Sequence, residues 1–389
     1  MKLTKFVIFA VLFFHSAIYS FVQAQNFSFV EEAPIEIGTS FSFQSEVLSE
    51  NRKILVSLPD NYDTSSKRYP VVYILDAQYF FEFQYAYGVI NTLAFLEEIP
   101  EVILVGIHSE DRTRDMTVQS PDNEKGNADK FIEFFKSELQ VLIDQQYRTE
   151  PYKILVGHSA GGLFALHTLF HAPDTFNGYI ALSPALQYDN GKTFQTIKNQ
   201  LDAGASFNNS LFTSLASEAG GMLEYYEDFL ELLSDSSIEG LDFSQQRFPD
   251  EGHSSTFMPG IKNGLLVMYE NWKPSNSINS LDALLTHCNT LSEHYGYTIE
   301  VPVRHASNIG FKLTNEGDHE GALEVFEYNL ANISQDAIAH YQVGFALRRL
   351  GRLDESLSFL EKAIELGPGT DMFDFYIRFR DEIIEEINN

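Results

Sequence analysis

The chain has 389 residues, a formal net charge of −29 and a single cysteine. That charge excludes nucleic acid, whose phosphates it would repel, and the lone Cys288 excludes an internal disulfide. At roughly 100–200 residues per domain, the length predicts two domains.

Residues 1–24 read as a signal peptide. Lys2 and Lys5 give a basic start, Phe6 to Phe14 an apolar stretch, and Val22-Gln23-Ala24 a small-residue cleavage site. The apolar stretch is broken by His15 and Ser16 and falls short of the about 20 residues that a spanning helix needs. An exported protein is expected, periplasmic or secreted, with no membrane span once the signal is cleaved.

Residues 25–275 predict one α/β domain. Phe41–Leu48 and Arg52–Leu58 read as a hairpin turning at Ser49-Glu50-Asn51. Val71–Leu75 and Val102–Ile107 are continuous apolar runs, as in parallel strands buried on both faces. Phe80 to Leu96, between them, reads as an aromatic-rich helix. Phe131, Phe134, Phe135, Leu139, Leu142 and Ile143 recur at helical spacing and predict an amphipathic helix over Ala128–Tyr147. Ile154-Leu155-Val156 is another buried strand. Further strands are expected at Tyr179–Leu182, Leu211–Leu215 and Phe243–Phe248, with a helix around Leu223–Leu233. Strands alternating with helices mean a mostly parallel sheet with helices on both faces, the hairpin forming its antiparallel front.

Pro274 to Ser277 marks a domain edge. A helical connector is expected over 276–302, its helix near Leu281–His294 burying Cys288 beside Leu284 and Leu291. Residues 303–389 then repeat: Gly310, Gly317, Ala322 and Phe326 are matched 34 residues later by Gly344, Gly351, Ser356 and Leu360. This is the tetratricopeptide period, with small residues where paired helices cross. Pro368 closes the second unit, where the first has Ser334. Two repeats bury too little alone, so the tail should pack on the α/β domain, on a capping helix over Met372–Ile387, or on a second copy. Such a tail suits a protein partner or self-association.

The chemistry centres on Gly157-His158-Ser159-Ala160-Gly161. Here Gly-x-Ser-x-Gly lies between a buried strand and a helix bearing Leu163, Leu166, Leu169 and Phe170, the setting of a nucleophile elbow. Glycines at 157 and 161 would remove Cβ atoms where backbone and helix crowd. A serine hydroxyl needs a base, a group that orients the base, and donors for the oxyanion. His253 follows the last strand in the loop Phe248–Ser254 and is the expected base. Glu218 is the first carboxylate after the Leu211–Leu215 strand, ahead of Glu224, Glu227 and Asp228 on the next helix. It completes the order Ser…acid…His. Oxyanion donors are expected from the Ala160 N–H and from the loop around Ala77 and Gln78.

Candidate substrate contacts are Ala77, Tyr79, Arg112, Arg114 and His158. Arg112 and Arg114 follow the Val102–Ile107 strand and would meet an anionic or polyphenolic substrate, or else pair with Asp111 or Asp115. Tyr79, Phe80, Phe81 and Tyr85 line an acyl or aryl pocket on one reading and pack in the core on the other. His158 adjoins the nucleophile but is expected to point elsewhere. His167 and His171 have the spacing of a metal pair, yet no carboxylate accompanies them on that helix. They read as a packed face, and no metal is expected.

Tyr69-Pro-Val-Val-Tyr-Ile-Leu-Asp76, Arg112-Thr-Arg-Asp-Met-Thr117 and Gly157-His-Ser-Ala-Gly-Gly162 together resemble the putative-esterase family of α/β-hydrolases. That family includes enterochelin-esterase-like, feruloyl-esterase-like, esterase-D-like and antigen-85-like proteins. The resemblance covers about residues 35–275. It implies the α/β-hydrolase fold and a Ser–His–acid triad acting on esters without metal or organic cofactor. By position, Ser159 matches the family nucleophile, His253 its base, Glu218 its acid, and Gln78 and Ala160 its oxyanion donors. Ala77 departs from the pattern, which usually has glycine there. The tail resembles one seen in exported bacterial members.

The expected function is an exported serine esterase acting on a small-molecule or polysaccharide-linked ester. A siderophore-lactone esterase and an acyltransferase are alternatives on the same scaffold. From another class, the alternative is a catalytically silent hydrolase fold that binds a partner through its tail.

Overall fold

The structure is a computed structural model describing residues 34–120, 123–235 and 238–389. The signal-peptide segment lies outside the described residues.

Eight strands form one sheet: β1 (Thr39–Ser45), β2 (Glu50–Ser57), β3 (Tyr69–Ile74), β4 (Ile103–Ile107), β5 (Thr149–His158), β6 (Gly178–Leu182), β7 (Asn209–Leu215) and β8 (Leu241–Arg247). Their spatial order is β1-β2-β4-β3-β5-β6-β7-β8. β1 with β2 and β2 with β4 are antiparallel, and every other neighbour pair is parallel. This is the expected mostly parallel sheet with an antiparallel front. The apolar strands β3, β4, β6 and β7 are wholly buried, whereas the more polar β8 forms a half-exposed edge.

The hairpin turns earlier than its sequence suggests. Ser45 pairs with Glu50, so Glu46–Ser49 form the turn and Glu50 and Asn51 belong to β2. The reason is tertiary. The Glu138 carboxylate accepts from Ser45 Oγ at 2.5 Å and from the Glu46 and Val47 N–H groups at 2.7 and 2.8 Å. A residue 92 positions away along the chain therefore holds the turn.

The domain's helices are α1 (Phe80–Phe95), α2 (Arg112–Met116), α3 (Ala128–Phe134), α4 (Gln140–Gln146), α5 (Ala160–His171), α6 (Lys192–Asp202), α7 (Gly221–Asp235) and α8 (Phe257–Met268). The helix expected over Ala128–Tyr147 is interrupted by a π turn at Phe135–Leu139. The extra residue lets the adjacent Phe134 and Phe135 both point inward, each 0% exposed. Helix α8 is not evident from the sequence, because Pro259, Gly260 and Gly264 depress helix propensity. Those glycines let it press on the sheet. A Cβ at Gly260 would lie 2.7 Å from Leu182, and one at Gly264 would lie 2.8 Å from Ile180.

Six helices follow: α9 (Leu281–Tyr295), α10 (Val303–Glu316), α11 (His319–Asn332), α12 (Ala337–Arg349), α13 (Leu353–Leu366) and α14 (Phe373–Asn388). The repeated small residues lie where helices touch: a Cβ at Gly310 would meet Phe326 at 2.3 Å, and one at Gly344 would meet Leu360 at 2.1 Å. At one end α14 caps the stack, burying Tyr376, Phe379 and Ile383 against Leu360 and Ala363. At the other end Tyr295 of α9 packs among Tyr152, Tyr269 and Trp272, and its hydroxyl donates to Met268 O at 3.3 Å. Cys288 is buried on α9, and burial pushes its thiol up to about 11.

The aromatic contact of Tyr295 joins the tail to the sheet domain. Truncating a buried aromatic costs about 3–5 kcal/mol. Tyr295→Ala is expected to lower the unfolding free energy by that amount in a urea titration, and to make residues 276–389 the first region cleaved by protease.

Candidate active site

β5 delivers Ser159 to the C-terminal edge of the sheet, and α5 carries the chain away. The turn puts Ser159 at φ 59°, ψ −114°, a conformation that a side chain adopts only when its surroundings impose it. Two hydrogen bonds impose it here. Ser159 N–H donates to Leu182 O at 2.9 Å, and Ala185 N–H donates to Ser159 O at 3.1 Å. The first turn of α5 is thereby pressed onto the ends of β5 and β6. A Cβ at Gly157 would lie 2.1 Å from Gly161 O, and one at Gly162 would lie 2.9 Å from Leu182 O. Gly161, expected to be the second crowded position, would make only ordinary contact, 3.4 Å from Leu75. Crowding falls on Gly162 because the helix leans on β6, a neighbour that motif spacing does not reveal.

Glu218 follows β7 and His253 follows β8. Their loops are tied together, since the Ser217 N–H and hydroxyl both donate to Glu251 O, at 3.0 and 2.7 Å. His253 Nδ1 lies 2.9 Å from Glu218 Oε1. The Glu218 side chain is 7% exposed and that of His253 is 39% exposed. Burial alone would raise the Glu218 carboxyl. The neighbouring Ser183 hydroxyl, the His253 imidazole and its own backbone N–H outweigh burial and hold it below its usual value. A carboxylate only accepts, so Nδ1 of His253 carries the proton and Nε2 is left with its lone pair. Glu224, Glu227 and Asp228 lie on α7 instead, and Glu227 faces Arg247 at 3.9 Å.

His158 points at His253. Its Nε2 donates to the His253 carbonyl at 2.7 Å, and the two rings are 4.8 Å apart. Burial, with the neighbouring His253, pushes its imidazole down to about 4, so it is neutral at pH 7. Sequence reasoning had no means to find this contact, which spans 95 residues.

The loop after β3 carries the expected oxyanion donor. Ala77 N–H bonds to Ile107 O and Tyr79 N–H to Asp76 O, both at 2.9 Å. Between them, the Gln78 N–H has no backbone acceptor among the described residues. The Gln78 side chain anchors the loop, donating to Asp76 Oδ1 at 2.9 Å and accepting from Ser109 N–H at 2.9 Å. Ala77 is 2% exposed and faces the sheet, so it is not a substrate contact.

Asp76 itself is buried at φ 63°. Its charge is met by a two-pronged ion pair, Arg112 Nε to Oδ1 at 2.8 Å and Nη2 to Oδ2 at 2.9 Å. Arg112 thus braces the loop that carries Gln78. Arg114 pairs with Glu50 and Asp115, beside the fully buried Arg52, and is structural. Asp111 caps α2 by accepting from Arg114 N–H. Tyr79, Phe80 and Phe81 are 44%, 48% and 65% exposed, so the rings beside this loop are rim rather than core.

Glu82 is buried behind the Asp76–Arg112 pair. Burial and the Asp76 carboxylate push its carboxyl from 4.5 up to about 7, against the pull of Arg112. Between those values the folded chain keeps a proton that the unfolded chain releases. Stability from this group therefore falls as pH rises from 4.5 to about 7 and is level above that. With allowance for solvent screening, Glu82→Gln is expected to be more stable than wild type by roughly 1–2 kcal/mol at alkaline pH. The gain should vanish in mild acid, and denaturant unfolding at both pH values checks it.

Residues 45–218 match the family described as putative esterase, and residues 337–370 match the tetratricopeptide repeat. The chain is 28% identical over 223 residues to the ferri-bacillibactin esterase BesA of Bacillus subtilis, covering 48% of this chain and 74% of that protein. Among solved structures it is similar to an IroE-like serine hydrolase from Shewanella oneidensis, with 25% identity, TM-score 0.67, and coverage of 76% and 99% of the two chains. A protein from Capnocytophaga ochracea shares the fold over 90% of this chain and 99% of its own, at 18% identity and TM-score 0.65. The tail is therefore part of the shared architecture. No helix among the described residues is long and apolar enough to cross a membrane. Residues 45–218 are thus a putative-esterase domain on an α/β-hydrolase fold, of the carboxylic ester hydrolase class, and a tetratricopeptide-repeat tail follows it.

Proposed function

We propose that the protein is an exported serine esterase working through an acyl-enzyme. The observation that carries this reading is the His253–Glu218 pair at 2.9 Å on the same sheet edge as the Ser159 elbow. Ser159 Oγ attacks the ester carbonyl while His253 Nε2 takes its proton. Glu218 holds the Nδ1–H and stabilises the imidazolium. The Ala160 and Gln78 N–H groups meet the charge growing on the carbonyl oxygen. Collapse of the tetrahedral intermediate expels the alcohol, which takes the proton from His253. A water deprotonated by the same nitrogen then releases the acid.

Two features favour this chemistry. Neutral His158 beside the base matters because a second cation there would oppose formation of the imidazolium. His253 is 39% exposed, which admits the water that favours hydrolysis over acyl transfer. The exposed Tyr79, Phe80 and Phe81 on the rim suit an ester bearing an aryl group. An aryl ester of the siderophore class, a class named for two fungal relatives described as siderophore esterases, and a feruloyl ester both meet that description. Export rests on the basic and apolar pattern of residues 1–24, and the repeat tail suits a protein contact.

Hydrolysis of aryl acetate, aryl butyrate, ferulate and a catecholate trilactone by wild type and Ser159→Ala tests the proposal. The substitution is expected to lower kcat by at least about 10³-fold. Folded wild type that turns over none of them, or undiminished turnover by the variant, would sink it. His158→Ala loosens the loop of the base without touching substrate. It should lower kcat about 10–100-fold with KM nearly unchanged, and an unaltered kcat would remove His158 from the mechanism.

A further inference from the structure

At the far end of the helix that begins beside Ser159, three side chains converge. His167 and His171 lie one turn apart on α5, their rings 5.1 Å apart and inclined by only 13°. Asp129 of α3 supplies the carboxylate that α5 lacks. Its Oδ1 is 2.7 Å from His167 Nε2 and 3.7 Å from His171 Nε2. The three ligand atoms all lie within 4.8 Å of one another. We propose that Asp129, His167 and His171 form a binding site for one divalent transition-metal ion of the zinc class, separate from the ester-cleaving centre.

The donor set selects the ion. Two imidazoles and one carboxylate suit zinc and its borderline neighbours, whereas magnesium and calcium prefer oxygen ligands alone. The geometry needs the three ligand atoms, now within 4.8 Å of one another, to close on a common centre. Bonds of about 2.0–2.2 Å in a tetrahedral site put neighbouring ligand atoms about 3.4 Å apart. The 2.7 Å contact must open slightly and the 3.7 Å contact close slightly. His167, 4% exposed, is the fixed anchor, while His171 and Asp129, 44% and 65% exposed, have room to adjust. His171 is also the last residue of α5, where the helix dipole favours a cation.

Magnitude and role follow from the surroundings. The buried Nδ1 of His167 has no hydrogen-bond partner among the described residues. Missing outer-shell support weakens metal sites about 10–100-fold, so an affinity near micromolar is expected rather than that of a structural zinc finger. The helical rise puts the site about 12–18 Å from Ser159. An ion there would clip α3 to α5 and would not reach the ester.

Calorimetric titration of the tag-free, chelator-stripped full chain with zinc tests this, with cobalt absorption reporting the ligands. The expected result is one ion per chain with a Kd of about micromolar, weakened at least about 10-fold by His171→Ala and by Asp129→Asn. Both substitutions are at exposed side chains, so folding should survive and can be checked by circular dichroism. Absence of binding below millimolar, affinity unchanged in both variants, or binding lost in His253→Ala instead would overturn the proposal.

Discussion

The site depends on how closely the first turn of α5 presses on the ends of β5 and β6. There is no room for a Cβ at Gly157, which would sit 2.1 Å from a carbonyl oxygen, and little at Gly162. That closeness holds Ser159 at positive φ through its hydrogen bonds with Leu182 and Ala185. It also places His158, one residue back, within reach of the His253 carbonyl. Ser159 and His253 thus share a rigid frame, though they lie on loops far apart in sequence.

Charge is distributed with similar economy. The chain is strongly acidic, yet its cations near the site are engaged with buried carboxylates: Arg112 with Asp76, and Arg52 with Asp115. Buried pairs of this kind contribute little net stability, but losing one partner strands the other charge in the interior. Their effect here is to hold backbone in place. Asp76–Arg112 braces the loop that presents the Gln78 N–H, and the Arg52–Asp115–Arg114–Glu50 network joins α2 to the front hairpin. The exposed rings of Tyr79, Phe80 and Phe81 lie beside that loop.

The tail obeys a different constraint. Two tetratricopeptide-like units bury too little apolar surface to stand alone. They are bracketed by α14 at one end and by α9, with its aromatic anchor on the sheet domain, at the other. The small residues of the repeat mark helix crossings, and the anchor uses Tyr152 and Tyr269 of the sheet domain, outside the repeat period.

Patterns carried by neighbouring residues were legible in the sequence. Apolar runs located β3 to β6, as in parallel strands buried on both faces, and the alternation of strands with helices located the more polar β7 and β8. Helical spacing located the helix over Ala128–Tyr147 and α5, the 34-residue period located the tail, and the order Ser159, Glu218, His253 followed from where strand ends lie in a parallel sheet. What escaped was whatever depends on a partner distant in the chain. The hairpin turn is set by Glu138, Arg112 is turned from substrate toward Asp76, His158 toward His253, and Asp129 joins two histidines of another helix. Helix α8 was hidden because its glycines serve contact with the sheet rather than local propensity. Periodicity reports which face of an element is buried. Which side chain meets which charge across the interior is decided only when the elements pack.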